Sequence, residues 1–288
     1  MPLFRYILMR MDDEFKVPPK PWTGASIKAL RDEIVRGGEE VPGLSYQTVY
    51  VWYSRVLLDV VDRLGRVDYV GIIGEQPEIS FRVKTVDTLR DKLIRQDSTP
   101  LYRIHDIIGA RVTASMTLQQ QNDLVQAIAA LFPKHQISDM REHPHSGYRG
   151  VHVIAGLPRG IFAEIQIRTL PQDAWANCYE AIADRYGREI RYGEYPDSPK
   201  GRELVQAIQG TSDGIRSLEL LDSEQGIAVG DILDNVTKMM RHLTEYYHAP
   251  NPQELEKIIK IANNTGSLML KLGGEHGRNG NPVQPEDR

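Results

Sequence analysis

The 288-residue chain has one cysteine, Cys178. A single thiol forms no intrachain disulfide and cannot build a cysteine-based zinc site, so a disulfide-stapled secreted scaffold is excluded. No stretch approaches the roughly 18 consecutive apolar residues of a membrane span. The opening Met1-Pro2-Leu3-Phe4-Arg5 lacks the apolar run of a secretory leader. A cytoplasmic protein is expected. Charge of one sign is also scarce: 35 basic and 39 acidic residues leave a net charge of −4. That excludes a globally basic protein coating nucleic acid, though not a local basic groove. Aromatic residues make up 7%, and few lie among the basic ones, which argues against a plain RNA-binding module. No internal repeat of useful period occurs. What remains is 41% apolar and 26% charged, a globular composition long enough for one or two domains with a sizeable core.

The hydrophobic pattern predicts an α/β fold with a mixed central sheet flanked by helices. Prolines 18, 19 and 21 keep the start irregular. Helices are predicted over 26–36 and 45–64, the second with an apolar stripe of Tyr46, Val49, Tyr50, Tyr53, Leu57, Val60 and Leu64. Strands are predicted over 79–84, 107–113, 150–155 and 161–169, and helices over 86–95, 118–132 and 169–186. Gly156 to Gly160 reads as a hairpin turn. Helices follow near 202–221 and 229–248, and Asn251-Pro252-Gln253-Glu254 reads as a further helix start. This divides the chain into a helical N-terminal extension (1–75), a central domain (76–200), C-terminal helices (201–272) and a disordered tail (273–288).

Four segments carry residues suited to chemistry. On the strand Glu164-Ile165-Gln166-Ile167-Arg168-Thr169, an acid, an amide and a base share one face and two isoleucines the other. The ordinary alternative is a solvated outer face with a cross-strand ion pair. Arg82 and Lys84 share a strand face, and the helix after them carries Thr88, Lys92 and Arg95. Cations at a strand end beside a helix start suit a polyphosphate, or else form a basic surface helix. Asp106-Ile107-Ile108-Gly109-Ala110-Arg111 opens a strand with a carboxylate, and with Glu164 it offers the one or two carboxylates that Mg²⁺ takes alongside substrate phosphates. The dipeptide His105-Asp106 lacks the distant ligands of a metal-dependent hydrolase. In Ser146-Gly147-Tyr148-Arg149-Gly150-Val151-His152, glycines on both sides are expected to present Tyr148 outward for stacking on a base, with His152 near a phosphate or base. A simple turn with a surface tyrosine is the alternative, and His143 and His145 beside it are too unspecific for a metal site.

These segments, in this order, resemble the synthetase domain of the RelA/SpoT family. The family's R-x-K strand is matched by Arg82 and Lys84, and its following helix by Thr88 and Lys92. Its D-x-x-G-x-R strand is matched by Asp106, Gly109 and Arg111. Gly147, Tyr148, Arg149 and His152 match its loop. Glu164, Gln166, Arg168 and Thr169 match its last strand, followed by Trp175 and Ala176. The resemblance covers about 79–185. It implies a nucleotidyltransferase-like fold and Mg²⁺-dependent (or Mn²⁺-dependent) transfer of the β,γ-pyrophosphate of ATP to the 3′-hydroxyl of GDP or GTP, giving ppGpp or pppGpp, as in the stringent response. It implies that Asp106 and Glu164 hold the metal, with Glu164 as the candidate base. Arg82, Lys84, Thr88, Lys92 and Arg111 would bind ATP. Tyr148, His152, Gln166 and Arg168 would bind the acceptor.

The chain departs from the family pattern on the acceptor side. A lysine usual before the loop is replaced by His143-Pro144-His145-Ser146, and the pair following Trp175-Ala176 reads Tyr179-Glu180. Toxic relatives that act on adenine nucleotides, or on the 3′-terminal adenosine of tRNA, are the runner-up. Arg5, Arg10, Lys16, Lys20, Lys28, Arg31 and Arg36 would face an RNA acceptor or simply form a solvated surface. An inactive nucleotide-binding regulator is a further alternative. The length leaves no room for an added hydrolase or regulatory region, so a stand-alone synthetase is expected. Its helical extensions are available to oligomerise, bind RNA or hold an antitoxin.

Overall fold

The computed structural model describes residue 15 and residues 17–225, 229–248, 260, 263 and 264. The predicted helix start at Asn251 and the predicted tail lie outside these residues.

Helix α1 (Gly24–Arg36) opens with a capping box between Thr23 and Ser26 and stops at Gly37, whose φ is +103°. A two-residue pairing of β1 (Glu40–Val41) with β2 (Leu44–Ser45) leads into α2 (Tyr46–Leu64), capped by the Ser45 side chain. The stripe predicted on α2 is buried except for the half-buried Tyr50. A one-turn helix, α3 (Tyr69–Ile73), precedes β3 (Glu78–Val83) and α4 (Val86–Arg95). The chain continues through β4 (Ile108–Ala114), α5 (Leu118–Ala130), β5 (Lys134–Asp139), β6 (Val151–Leu157) and β7 (Ile161–Thr169). Three helices follow: α6 (Leu170–Tyr186), α7 (Pro199–Gln225) and α8 (Gly230–His248).

The five-stranded sheet has the order β3-β4-β7-β6-β5, with β4 and β7 parallel and the other pairs antiparallel. It is the expected mixed α/β architecture with one strand more than the sequence predicts. The overlooked strand, β5, forms an edge, and its residues Lys-His-Gln-Ile-Ser-Asp are mostly exposed. It therefore carries no apolar alternation. The β6–β7 turn places Arg159 (φ 64°) and Gly160 (φ 67°) in the left-handed region, as a tight hairpin demands.

The sheet has two unlike faces. Ile161, Ala163, Ile165 and Ile167 of β7 are buried with Val151, Val153 and Ala155 of β6. They share one core with Leu30 of α1, Val49 and Val56 of α2, and Leu124 and Ile128 of α5. Burying each large aliphatic side chain contributes about 2 kcal/mol. The opposite face of β7 carries Phe162, Glu164, Gln166 and Arg168. A second core joins α6, α7 and α8 through Trp175, Cys178, Ile182, Leu204, Ile208, Leu218 and Met240. Cys178 is wholly buried there, and burial pushes its thiol up to about 12. The native protein is therefore expected to resist iodoacetamide at pH 8 and to be alkylated only after denaturation. Mass spectrometry of the treated protein checks this; rapid native labelling would contradict the packing of α6 against α8.

Candidate active site

Strand register assembles the site. Arg82 of β3 lies opposite Gly109 of β4, which lies opposite Glu164 of β7. Arg111 is opposite Gln166, and Gln166 is opposite His152 of β6. Directly paired residues share a face. Arg82, Arg111, Glu164, Gln166, Arg168 and His152 therefore occupy one side of the sheet. Gly109 leaves a gap in that row, because a Cβ there would meet nothing nearer than the Arg82 carbonyl at 3.9 Å. The gap lies between Arg82 and Glu164, where a ligand can approach the sheet backbone.

At the N-terminal end of β4, Asp106 is held from two sides. Lys84 Nζ lies 3.0 Å from one carboxylate oxygen and Lys92 Nζ lies 2.7 Å from the other. Lys84 follows β3, anchored by its backbone N–H to the Ile107 carbonyl, and Lys92 comes from α4. Burial alone would raise the Asp106 carboxyl, but the two ammonium groups outweigh it and hold it below the usual carboxylate range. Thr88 sits in the first turn of α4 with its hydroxyl turned back to Thr85.

A polar chain crosses the sheet face. Gln166 Nε2 donates to Glu164 Oε1 at 2.8 Å, and Arg168 Nη2 donates to Gln166 Oε1 at 2.7 Å. Arg168 Nε donates to the Tyr148 hydroxyl at 3.1 Å, and that hydroxyl lies 2.7 Å from His152 Nε2. Burial pushes the His152 imidazole below its usual range, although Glu164 and Asp106 pull against it, so at neutral pH the ring is uncharged. The geometry also selects its tautomer. Arg168 can only donate, so the Tyr148 oxygen accepts from it, and the Glu164 carboxylate facing Nδ1 favours a proton there, which leaves Nε2 to accept from the Tyr148 hydroxyl. The ring proton then sits on Nδ1, facing Glu164 Oε1 at 3.6 Å. The opposite tautomer would aim a lone pair at the carboxylate.

The placement of Tyr148 corrects the expectation of an outward-facing ring. It is half-buried, with the Arg168 guanidinium over its ring at 4.9 Å. The reason is local. Gly147, at φ +89°, leaves room for Trp175, which would lie 2.7 Å from any Cβ at that position. A Cβ at Gly150 would come within 2.7 Å of Tyr148 Cζ, so its absence lets the ring fold back on the loop. The glycines bring the tyrosine in.

Two further residues belong to the site and were not read from the sequence. Asp173, in the first turn of α6, bridges Arg168 Nη1 at 2.9 Å and Arg111 Nη1 at 3.1 Å. Asn177 accepts from Arg111 at 3.0 Å and donates to Asp173 at 2.8 Å. Their spacing of four on a helix was the available signal. Arg111 Nε is buried with no hydrogen-bond partner among the described residues.

Among the described residues no group of three or more His, Cys, Asp and Glu is arranged to hold a metal on its own. Of the site's carboxylates, Asp173 is taken up by Arg168 and Arg111, which leaves Asp106 and Glu164 as the candidate metal donors. That oxygen set fits a small hard cation that keeps water and takes its other ligands from phosphates. No described helix is long and apolar enough to cross a membrane.

The sequence pattern described as "Region found in RelA / SpoT proteins" matches residues 81–189. An uncharacterized protein of Mycobacterium tuberculosis is 40% identical over 205 residues, spanning 67% of this chain and 72% of that protein. GTP pyrophosphokinase YjbM of Bacillus subtilis is 29% identical over 146 residues, spanning 46% of this chain and 66% of that enzyme. The crystal structure of small alarmone synthetase 1 from Bacillus subtilis aligns with a TM-score of 0.45 at 22% identity, covering 66% of this chain and 98% of that one. The 81–189 match takes in every residue of the site from Arg82 to Asn177. The chain belongs to the RelA/SpoT family, as a synthetase of the pyrophosphokinase type.

Proposed function

We propose that this protein transfers the β,γ-pyrophosphate of ATP to the ribose 3′-hydroxyl of GDP or GTP, with AMP leaving. The observation that carries the reading is the Asp106 carboxylate clamped by Lys84 and Lys92 just before β4, the strand that pairs with the Glu164 strand β7. Pyrophosphoryl transfer needs positioning and charge neutralisation more than covalent chemistry. When the donor binds, Lys84 and Lys92 exchange Asp106 for phosphate oxygens. Arg82 and Arg111, diagonal neighbours on adjacent strands, flank the adenine. The fit of Asp106 and Glu164 to Mg²⁺ (or Mn²⁺) means that, when bound, the ion supplies further neutralisation of the phosphates. Glu164, steadied through Oε1 by Gln166, accepts the proton of the acceptor hydroxyl. Tyr148 and Arg168 contact the acceptor. His152 and Gln166 hold Glu164 in line.

Of the N-terminal cations named for an RNA acceptor, Lys28 is exposed on α1 and the other described ones are paired within the chain. Arg31 pairs with Asp32 and Asp97, Arg36 pairs with Glu33, and Lys20 donates to the Arg159 carbonyl. Arg5, Arg10 and Lys16 lie outside the described residues. The test is incubation with Mg²⁺ and γ-labelled ATP, offering GDP, GTP, ADP, AMP and deacylated tRNA separately. Label on GDP or GTP is the expected result. Label only on tRNA, or only on ADP or AMP, would replace the acceptor assignment while keeping the chemistry. ATP binding with no transfer to any acceptor would leave a nucleotide-binding regulator.

Tyr148→Phe separates the hydroxyl of Tyr148 from its ring. The ring remains for stacking, but His152 loses the partner that fixes its tautomer. Turnover is expected to fall about tenfold, the effect of one hydrogen bond at roughly 1.4 kcal/mol, with the acceptor KM little changed. Steady-state kinetics check this. Wild-type turnover in Tyr148→Phe would reduce the tyrosine to a stacking surface.

A further inference from the structure

The loop that carries Tyr148 is attached to helix α7 by polar contacts as well as to the sheet it serves. Ser212 Oγ donates to the Gly147 carbonyl at 2.5 Å and accepts from Arg149 Nε at 3.2 Å. Arg149 Nη2 pairs with Asp213 Oδ1 at 2.6 Å, and Arg149 Nη1 donates to the Arg141 carbonyl. Arg216 pairs with Glu142 at the start of the loop. Trp175, whose indole donates to the Ile208 carbonyl of α7 at 2.7 Å, fills the space beneath Gly147. Ser212 is 3% exposed, and both of its hydrogen bonds go to the loop. Asp213 is 55% exposed on its side chain, so its pair with Arg149 is weakened by solvent. The buried hydroxyl is therefore the stronger half of the clamp.

We propose that Ser212 and Asp213 are positioning residues for the acceptor: α7 fixes the Gly147–Arg149 backbone, and thereby the place of Tyr148 against His152 and Arg168. The loop and α7 are some 60 residues apart in sequence (Arg149 and Asp213 differ by 64), so helix and loop act as one unit with the catalytic sheet. The proposal rests on the acceptor-side role assigned to Tyr148 above. It makes the acceptor affinity, but not the donor affinity, depend on a helix that touches no substrate.

Two measurements on the full chain test it. In the absence of substrates, Ser212→Ala is expected to speed hydrogen exchange of amides 145–150 at least tenfold, with exchange across 106–114 unchanged. Removing the hydroxyl leaves both the Gly147 carbonyl and Arg149 Nε short of a partner. In turnover with GDP or GTP, Ser212→Ala is expected to raise the acceptor KM roughly tenfold and the ATP KM less than twofold. Asp213→Asn is expected to raise the acceptor KM about threefold or less. Thr211→Val is the control. Thr211 is buried on the same helix, but its hydroxyl bonds only to the Ala207 carbonyl. It is expected to lower Tm without moving the acceptor KM. Unchanged loop exchange in Ser212→Ala would overturn the clamp. An equal rise of both KM values, or the same KM change in Thr211→Val, would reduce α7 to a general support. Absence of transfer by the wild type would overturn the function while the exchange experiment still decides the clamp.

Discussion

Glu164→Gln is expected to lower kcat by about 10³-fold, within the 10²–10⁴ range of a general base, while stability shifts by less than about 1 kcal/mol. The substitution preserves shape and removes the charge. Glu164 stands on the open face of β7, and the strand itself is held by its paired neighbours β4 and β6 and by the burial of Ile165 and Ile167 behind it. Its side-chain contacts are the Gln166 amide and the His152 ring. Both survive a neutral amide in weakened form. What does not survive is a site for the proton of the acceptor hydroxyl. Steady-state kinetics beside thermal unfolding separate the two effects. A variant with wild-type turnover would remove Glu164 from the chemistry, and one that failed to fold would mean the strand depends on its charge.

Asp106→Asn should reduce turnover at least a hundredfold and also cost about 2 kcal/mol of stability, the usual loss for hydrogen bonds to charged groups. The reason is the pair of lysines. With the carboxylate gone, each lysine no longer has its own carboxylate oxygen, and one of Lys84 and Lys92 faces an amide NH2, itself a donor. The pH dependence has a definite sign. Because the folded carboxyl sits below its unfolded value of 3.8, Asp106 contributes stability that is present above that pH and is lost as the pH falls through its folded pKa. The wild type should therefore show an acid-side loss of Tm that Asp106→Asn lacks. Equal Tm–pH slopes in the two proteins below pH 4 would show that the lysines do not hold the carboxylate.

The sequence made some of this visible for identifiable reasons. The alternation of β7 separates Ile165 and Ile167 from Glu164, Gln166 and Arg168 by the pleat alone. The structure places those two sets on opposite faces. The β6–β7 hairpin was legible in its glycines and proline. The ends of α2 agree with their caps, and α8 (Gly230–His248) starts one residue after the predicted 229, whereas α7 begins three residues before and ends four after the predicted span of 202–221. Strand β5 was not legible, because an exposed edge strand needs no apolar pattern. The inward turn of Tyr148 was hidden as well. Flanking glycines permit either direction, and Trp175, 27 residues after Tyr148, decides between them. Asp173 and Asn177 escaped because their partners, Arg111 and Arg168, lie on strands that only the sheet topology brings together. Lys84 and Lys92 were recognised as cations suited to a polyphosphate, but the closure of both onto Asp106 needs α4 folded against the β4 end.

The most direct measurement is the stoichiometry of the products. Purified protein, Mg²⁺, ATP and GDP should release one AMP for each modified nucleotide formed, and ³¹P NMR should show an intact pyrophosphate on the ribose 3′-oxygen. ADP as the leaving product, with a single phosphate transferred, would contradict the assignment of Lys84, Lys92, Asp106 and Glu164 to pyrophosphoryl transfer.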